Sequence, residues 1–144
     1  MLVKDIFNSI TLDAPIVKEN AAIQDIVKAL LDHPLARTVY VVDDNEKIVG
    51  MIPVLYLLKI SGYEFYGIIQ PGSLFAKTIE IITGKKAKDI MFDPITVTEE
   101  TTLDEALRYM IENEVQEIPV IDKNGNILGD LNSLEILKAL YDVK

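Results

Sequence analysis

Residues 118–137 read IPVIDKNGNILGDLNSLEIL, and residues 39–58 read VYVVDDNEKIVGMIPVLYLL. Each is an apolar run ending in Asp, a polar turn, a second apolar run reaching Gly, and then a short apolar helix. The two copies keep an offset of 79 residues through Val41/Val120, Asp43/Asp122, Asn45/Asn124, Ile48/Ile127, Gly50/Gly129, Leu55/Leu134, Leu58/Leu137 and Lys59/Lys138. Self-similarity at a fixed spacing marks a tandem repeat, so fold and function have to be read from the pair.

Outward from these stretches, the β-branched runs 39–42 with 48–52 and 118–121 with 127–131 read as pairs of strands joined by short turns, and Asn124-Gly125 is a strong tight-turn signal. Their near-continuous apolar character implies sheets covered on both faces. Upstream, Ile23, Ile26, Val27, Leu30 and Leu31 have the i, i+3, i+4, i+7, i+8 spacing of one helix face, and Leu103, Ala106, Leu107, Met110 and Ile111 repeat it. Asn20 and Thr101 supply capping chemistry, Thr101 with Asp104 approximates a capping box, and Pro34 stops the first helix. Before each helix comes a brief extended segment, Pro15-Ile16-Val17 or Ile95-Thr96-Val97, and before that a lead-in helix, VKDIF or AKDIM. Each repeat therefore reads β-α-β-β-α. The expected fold is α/β (α+β), two such repeats packed with pseudo-two-fold symmetry, over residues 1–60 and 88–144 with an insert at 61–87.

The insert has no counterpart in the other copy. Ser73 to Thr83 suits a helix closed by Gly84, with Lys85, Lys86 and Lys88 favourable near its end, and suits a strand equally well. Tyr63, Phe65, Tyr66 and Phe75 read as packing residues before they read as a stacking platform for a base.

The chain of 144 residues is 49% hydrophobic, ample for a buried core, and carries no cysteine, which removes disulfides, thiolate nucleophiles and Cys-based metal sites. A net charge of -9 opposes polyanions, so nucleic acid is not an expected partner. The opening MLVKDIFNSI lacks a signal-type apolar core, and no segment approaches the roughly 20 apolar residues that cross a bilayer, so a soluble cytoplasmic protein is expected, with no membrane partner. His33, the single histidine, stands beside Pro34 without a Ser, Cys or second His for a catalytic or metal site. Asp43, Asp44 and Asp122 occupy turns, where short carboxylates bond locally. No convergent nucleophile, base or metal cluster is present, and no enzyme is expected.

In the order and doubling of these features, with KDIM before DPITV, the IPVID strand and the turn–strand–Gly–helix run, the chain resembles the tandem CBS-domain family, the cystathionine-beta-synthase-type pair or Bateman module. The resemblance implies a stand-alone regulatory module that requires no cofactor. Such a module binds an adenosine-containing ligand in the cleft between repeats: an adenine nucleotide (AMP, ADP or ATP), S-adenosylmethionine or NAD(H). It signals by a change of conformation or of affinity for an unidentified regulated protein. It also implies a homodimer; a ligand-free dimerisation or docking scaffold is the alternative with the same fold.

In the family, a pattern G-x-x-[TS]-x-x-D gives a hydroxyl to the ligand phosphate and a carboxylate to the ribose. Here Asn132 takes the Thr/Ser place and Glu135 the Asp place after Gly129. The implied ligand-binding set is Ile95, Thr96, Pro119, Val120, Asn132, Ser133 and Glu135. By the family's pattern the matching set in the first copy, Ile16, Val17, Val41, Pro53 and Tyr56, is a second site degraded or specialised for another ligand, because Pro53 has no side-chain donor and Tyr56 no carboxylate. Asn-x-x-Glu at a helix start is also nearly a capping box, and Pro53 is a good first helical residue; both readings stand at this point.

Overall fold

The computed structural model describes residues 1–8, 13–69 and 86–144. The first repeat runs β1 (Ile16–Lys18), α1 (Ile23–Leu31), β2 (Thr38–Val42), β3 (Ile48–Pro53) and α2 (Val54–Tyr66); the short helix α3 (Ala87–Ile90) follows. The second runs α4 (Leu103–Asn113), β4 (Glu117–Ile121), β5 (Ile127–Asn132) and α5 (Ser133–Leu140). β1 lies parallel to β2 and β2 antiparallel to β3, while β4 and β5 form an antiparallel pair. In place of a full first strand, the second repeat has Val97 bridged in parallel to Val120. The order β-α-β-β-α thus occurs twice, with pseudo-two-fold symmetry.

The symmetry reaches into fine detail. Both hairpins slip register at the same place, between Val41 and Val42 and between Val120 and Ile121. In both turns an aspartate closes the loop: Asp43 Oδ1 accepts from the amides of Asn45 and Lys47, and Asp122 Oδ1 from those of Asn124 and Asn126. The turn needs one left-handed residue, which is Gly125 at φ 84° in one copy and Glu46 at φ 64° in the other; Asn124 does not take that role.

Val39, Tyr40, Val41, Ile118 and Val120 are wholly buried, which confirms strands covered on both faces. The helix stripes are narrower than their apolar spacing. Ile26 is buried and Ile23 and Leu30 pack on the first core, yet Leu31 is 75% exposed, and its counterpart Ile111 is 67% exposed. The caps also sit later than the sequence suggests. Ala22 precedes α1, with the Asp25 carboxylate accepting from its amide, and Thr102 precedes α4, whereas Thr101 Oγ1 accepts from the Thr98 amide. Pro53 is the last residue of β3 and the cap of α2, not its first helical residue. α2 continues through Gly62 to Tyr66. It ends on Gly67, at φ 65°, with Gly67 N–H donating to Tyr63 O and Ile68 N–H to Gly62 O. The helix or strand expected over 73–83 lies outside the described residues.

The lead-ins are exchanged between repeats. Val3–Asp5 forms one 3-10 turn, and Val3 and Ile6 bury in the core of the second repeat with Leu103, Ala106, Ile118 and Leu131. Val3 N–H donates to Thr101 O and Lys4 N–H to Glu99 O. Reciprocally, Ala87 and Ile90 of α3 bury in the first core with Ile26, Val39, Ile52 and Ile60, and Ala87 N–H donates to Ala21 O. At each crossing a glycine gives room: a Cβ on Gly50 would stand 2.7 Å from Met91 Cβ, and one on Gly129 would stand 2.3 Å from Asn8 Oδ1.

The repeats also meet along a seam. Lys47 Nζ donates to Asn126 Oδ1 at 2.9 Å and Ile48 N–H to Gly125 O at 3.0 Å, joining the two turns. Met51 and Phe92 exchange both amide bonds. At the other end, two first-repeat groups reach buried carboxyl groups of the second: Arg37 N–H donates to Glu117 Oε1, and Tyr40 Oη to Asp130 Oδ2 at 3.4 Å. Glu117 and Asp130 are hydrogen-bonded to each other. Burial, then the Asp130 bond and charge, raise Glu117 from an ordinary 4.5 to about 9. Tyr40, fully buried against the same carboxylates, is pushed well above the usual phenol value, by desolvation first.

Two predictions follow from the crossings and the seam. Gly50→Ala should lower the unfolding free energy by about 1–3 kcal/mol in urea titration, since the new methyl meets Met91 close to its backbone. Gly129→Ala should lower it less, because the atoms it meets are the end of the Asn8 side chain. For Glu117, the folded state keeps a proton that the unfolded state releases above pH 4.5, so this group makes stability fall as pH rises from about 5 to about 9, by at most about 1.4 kcal/mol per unit. Glu117→Gln keeps the shape and both hydrogen bonds, so calorimetric melting at pH 6 and pH 9 should show a flatter decline than in the parent protein. His33, also raised by its Ala29 and Asp13 contacts, is common to both and cancels.

Candidate functional site

The helix starts at the ends of β3 and β5 occupy equivalent places. Val54 N–H donates to Arg37 O and Ser133 N–H to Gln116 O, both at 2.9 Å. Beyond that backbone equivalence the side chains diverge. Asn132 caps α5: its Oδ1 accepts from Glu135 N–H at 2.9 Å, and Glu135 Oε1 accepts from Asn132 N–H at 3.0 Å. This is the reciprocal capping box, and it draws the Glu135 carboxylate inward until it is 1% exposed. At the first helix start Pro53 offers no cap, and Tyr56 is half-buried with its ring 4.3 Å from that of Phe92, which belongs to the segment after α3. An aromatic pair fills the place where the other copy has a carboxylate.

Beside the α5 start, a cavity of about 320 Å³ opens between the repeats, lined by Leu35 and Arg37 from the first and by Gln116, Glu117, Asn132, Ser133 and Leu134 from the second. Its volume is at the low end of small-ligand sites. Its chemistry is mixed. Among the described residues Arg37 is the one cationic side chain on the wall, and its Nη1 donates to Pro34 O and Ala36 O at 2.9 and 2.8 Å. Glu117 is its buried acid, backed by Asp130.

Of the residues expected in the second-repeat site, Asn132 and Ser133 line this cavity. Glu135 stands behind them in the capping box. Ile95 and Thr96 are half-buried ahead of Val97, with the Ile95 amide against Met51 Sδ at 3.4 Å. Pro119 is buried opposite Asp130 in the β4–β5 pairing, and Val120 is a core residue. In the first repeat, Ile16 is exposed and paired with Tyr40, Val17 is half-buried and paired with Val41, and Val41 lies wholly in the core. Arg37 and Glu117 went unremarked in the sequence. The available signal was the start of each strand: Thr38 stands at the first position of β2 where Glu117, an acidic residue opening an apolar run, stands in β4.

The remaining candidates have local roles. His33 Nδ1 bonds to Ala29 O and Nε2 to Asp13 at the end of α1. Asp43 and Asp122 are spent on their turns; amide and side-chain bonds of Asn126, above all, hold the Asp122 carboxyl below the usual range. Tyr63 packs on the first core, Phe65 and Tyr66 are exposed, and Phe75 lies outside the described residues. Among the described residues no helix is long and apolar enough to cross a membrane.

Residues 3–62 and 87–142 match the family described as CBS domain. The chain is 47% identical to a CBS domain-containing protein of known structure from Thermotoga maritima, with a TM-score of 0.85 covering 100% of this chain and 96% of that one. It is 26% identical to the chloroplastic CBS domain-containing protein CBSX2 of Arabidopsis thaliana, over 90% of this chain and 59% of that protein, so it spans about three fifths of that relative. The structure of CBSX2 in complex with AMP has the same fold, with a TM-score of 0.74 at 24% identity covering 99% and 97% of the two chains. So does a CBS domain pair in complex with 5′-methylthioadenosine and S-adenosyl-L-methionine, with a TM-score of 0.74 at 21% identity covering 100% and 98%. Two repeats with one architecture, both matched along their length, establish that the chain belongs to the CBS-domain family as a CBS-domain pair.

Proposed function

We propose that this protein is a cytoplasmic regulatory module that binds an adenosine-containing ligand between its repeats and passes the occupancy on through conformation or partner affinity. The observation that carries the reading is the cavity at the α5 start, where Arg37 of one repeat faces Glu117, Asn132 and Ser133 of the other. A ligand seated there touches both repeats at once, so its binding free energy favours one relative placement of them. The complexes of CBSX2 with AMP and of the related pair with methylthioadenosine and S-adenosylmethionine support the ligand class. The tilted Tyr56–Phe92 ring pair, which fills the equivalent place in the first repeat, supports one working site per chain.

Titration with AMP, ATP, S-adenosylmethionine and NADH tests this. At least one should raise the melting temperature, by about 2.7 kcal/mol of stabilisation at a hundredfold excess over Kd. Calorimetry should give one site per chain, and Arg37→Ala should weaken binding. Absence of any response at millimolar concentration overturns the reading, and two equal sites per chain overturn the asymmetry.

A second reading, compatible with the first, is homodimerisation. Leu55 and Leu58 of α2 and their counterparts Leu134 and Leu137 of α5 are 62%, 65%, 61% and 49% exposed, an apolar face presented twice by one chain. A second copy offers the same two faces and so closes a two-fold assembly. Light scattering should give a dimer that becomes monomeric when Leu58 and Leu137 are both changed to Lys; a monomeric parent protein overturns it.

A further inference from the structure

The seam between the two hairpin turns carries a chemically reactive dipeptide. Asn124-Gly125 lies in the turn between β4 and β5, and Asn124 is exposed. In such a pair the glycine backbone nitrogen attacks the asparagine carboxamide carbon. A new C–N bond closes a five-membered succinimide, the bond to the side-chain nitrogen breaks, and ammonia leaves. Water then opens the ring at either carbonyl. One product is aspartate; the other is isoaspartate, in which the main chain runs through the former side chain and is longer by a methylene. Glycine favours the attack because no Cβ crowds its nitrogen.

In the folded protein the attacking nitrogen is committed elsewhere. Gly125 N–H donates to Asp122 O at 3.1 Å and closes the turn, and Asp122 Oδ1 accepts from Asn124 N–H at 2.8 Å and Asn126 N–H at 2.9 Å. Across the seam, Ile48 N–H donates to Gly125 O at 3.0 Å and Lys47 Nζ to Asn126 Oδ1 at 2.9 Å. The peptide groups on either side of Gly125 are thus fixed, one by its own turn and one by the first repeat. The first-repeat turn is an internal control. Asn45 N–H and Glu46 N–H donate to Asp43 Oδ1 and Asp43 O in the same way, but a Cβ on Glu46 stands beside the nitrogen that would have to attack.

We infer that Asn124 is a covalent modification site gated by the seam. While the turns are joined it is closed to deamidation; when they part, ring formation proceeds with water as the only co-reactant. Isoaspartate, with its longer backbone, does not restore the bonds at Gly125 and Asn126, so the turns stay apart. A transient opening between the repeats becomes a permanent one. This goes beyond the proposed ligand-binding role and does not depend on it.

Incubation of the full chain at pH 8, with isoaspartate at each asparagine quantified by peptide mass mapping, tests it. In the urea-unfolded chain Asn124 should convert faster than Asn45. In the folded chain Asn124 should convert more slowly by roughly tenfold or more, because reaction then waits on local opening. Lys47→Ala removes a bond across the seam and none within the 122–126 turn, so it should speed conversion of the folded chain severalfold and leave the unfolded rate alone. Chain converted in urea and then refolded should exchange the Ile48 amide hydrogen rapidly, where unconverted refolded chain protects it. Asn124 reacting no faster than Asn45 when unfolded overturns the site. Equal folded and unfolded rates, or a folded rate that Lys47→Ala leaves unchanged, overturn the gate. An Ile48 amide still protected after conversion overturns the lasting separation.

Discussion

Everything in this structure depends on the exchange of lead-in segments. Val3 and Ile6 complete the core of the second repeat, and Ala87 and Ile90 complete that of the first. Neither set of strands and helices has a closed apolar interior without residues supplied from the other side of the sequence repeat. Burial of a few branched side chains, each stabilising by about 1.5–3 kcal/mol, therefore does two things at once: it finishes a core and it ties two modules together. The seam follows, because the exchange brings the hairpin turns into contact at Lys47 and Asn126 and sets the β2 entrance against β4.

Within that symmetric frame the polar groups are placed unequally. At the positions of Thr38, Met51 and Tyr56 in the first repeat, the second has Glu117, Asp130 and Glu135. Hydroxyl, thioether and phenol can be buried on a sheet or helix start with modest partners. Carboxyl groups cannot, and each of the three has a specific answer: a shared proton, a tyrosine hydroxyl, a helix cap. The tyrosine hydroxyl comes from across the seam, as does the Arg37 amide that donates to Glu117, so the charge arrangement of one repeat is held in part by the backbone and side chains of the other.

Much of this was legible in the residues. The fixed spacing of 79 located both hairpins, both turns and both helices, because strand alternation and helix period are local properties written into local sequence. The exchange of lead-ins was not, since VKDIF and AKDIM record that a segment is amphipathic but not which core it enters. Leu31 and Ile111 look like core residues by spacing and are exposed, because the packed stripe of a short helix is narrower than its apolar face. Asn132 and Glu135 carried two readings from the start; the geometry shows the capping box directly and leaves Asn132 and Ser133 on a cavity wall. Arg37 and Glu117 escaped notice because their meaning arises only when the ends of β2 and β4 come together, a contact between residues 80 positions apart.

The crossed lead-ins also set an order of events for folding. A chain that has emerged only through α2 holds the strands and helices of its first repeat but not Ala87 and Ile90, so its core stays open at one side. The contacts that close it span roughly 27 to 66 positions, and those made by Val3 with the second core roughly 98 to 128. Loop-closure entropy for separations of that size has to be met before any of these contacts form, which places this small protein with slow, high-contact-order folders in spite of its helices. Until α3 arrives, the first core stays open on the side that Ala87 and Ile90 cover.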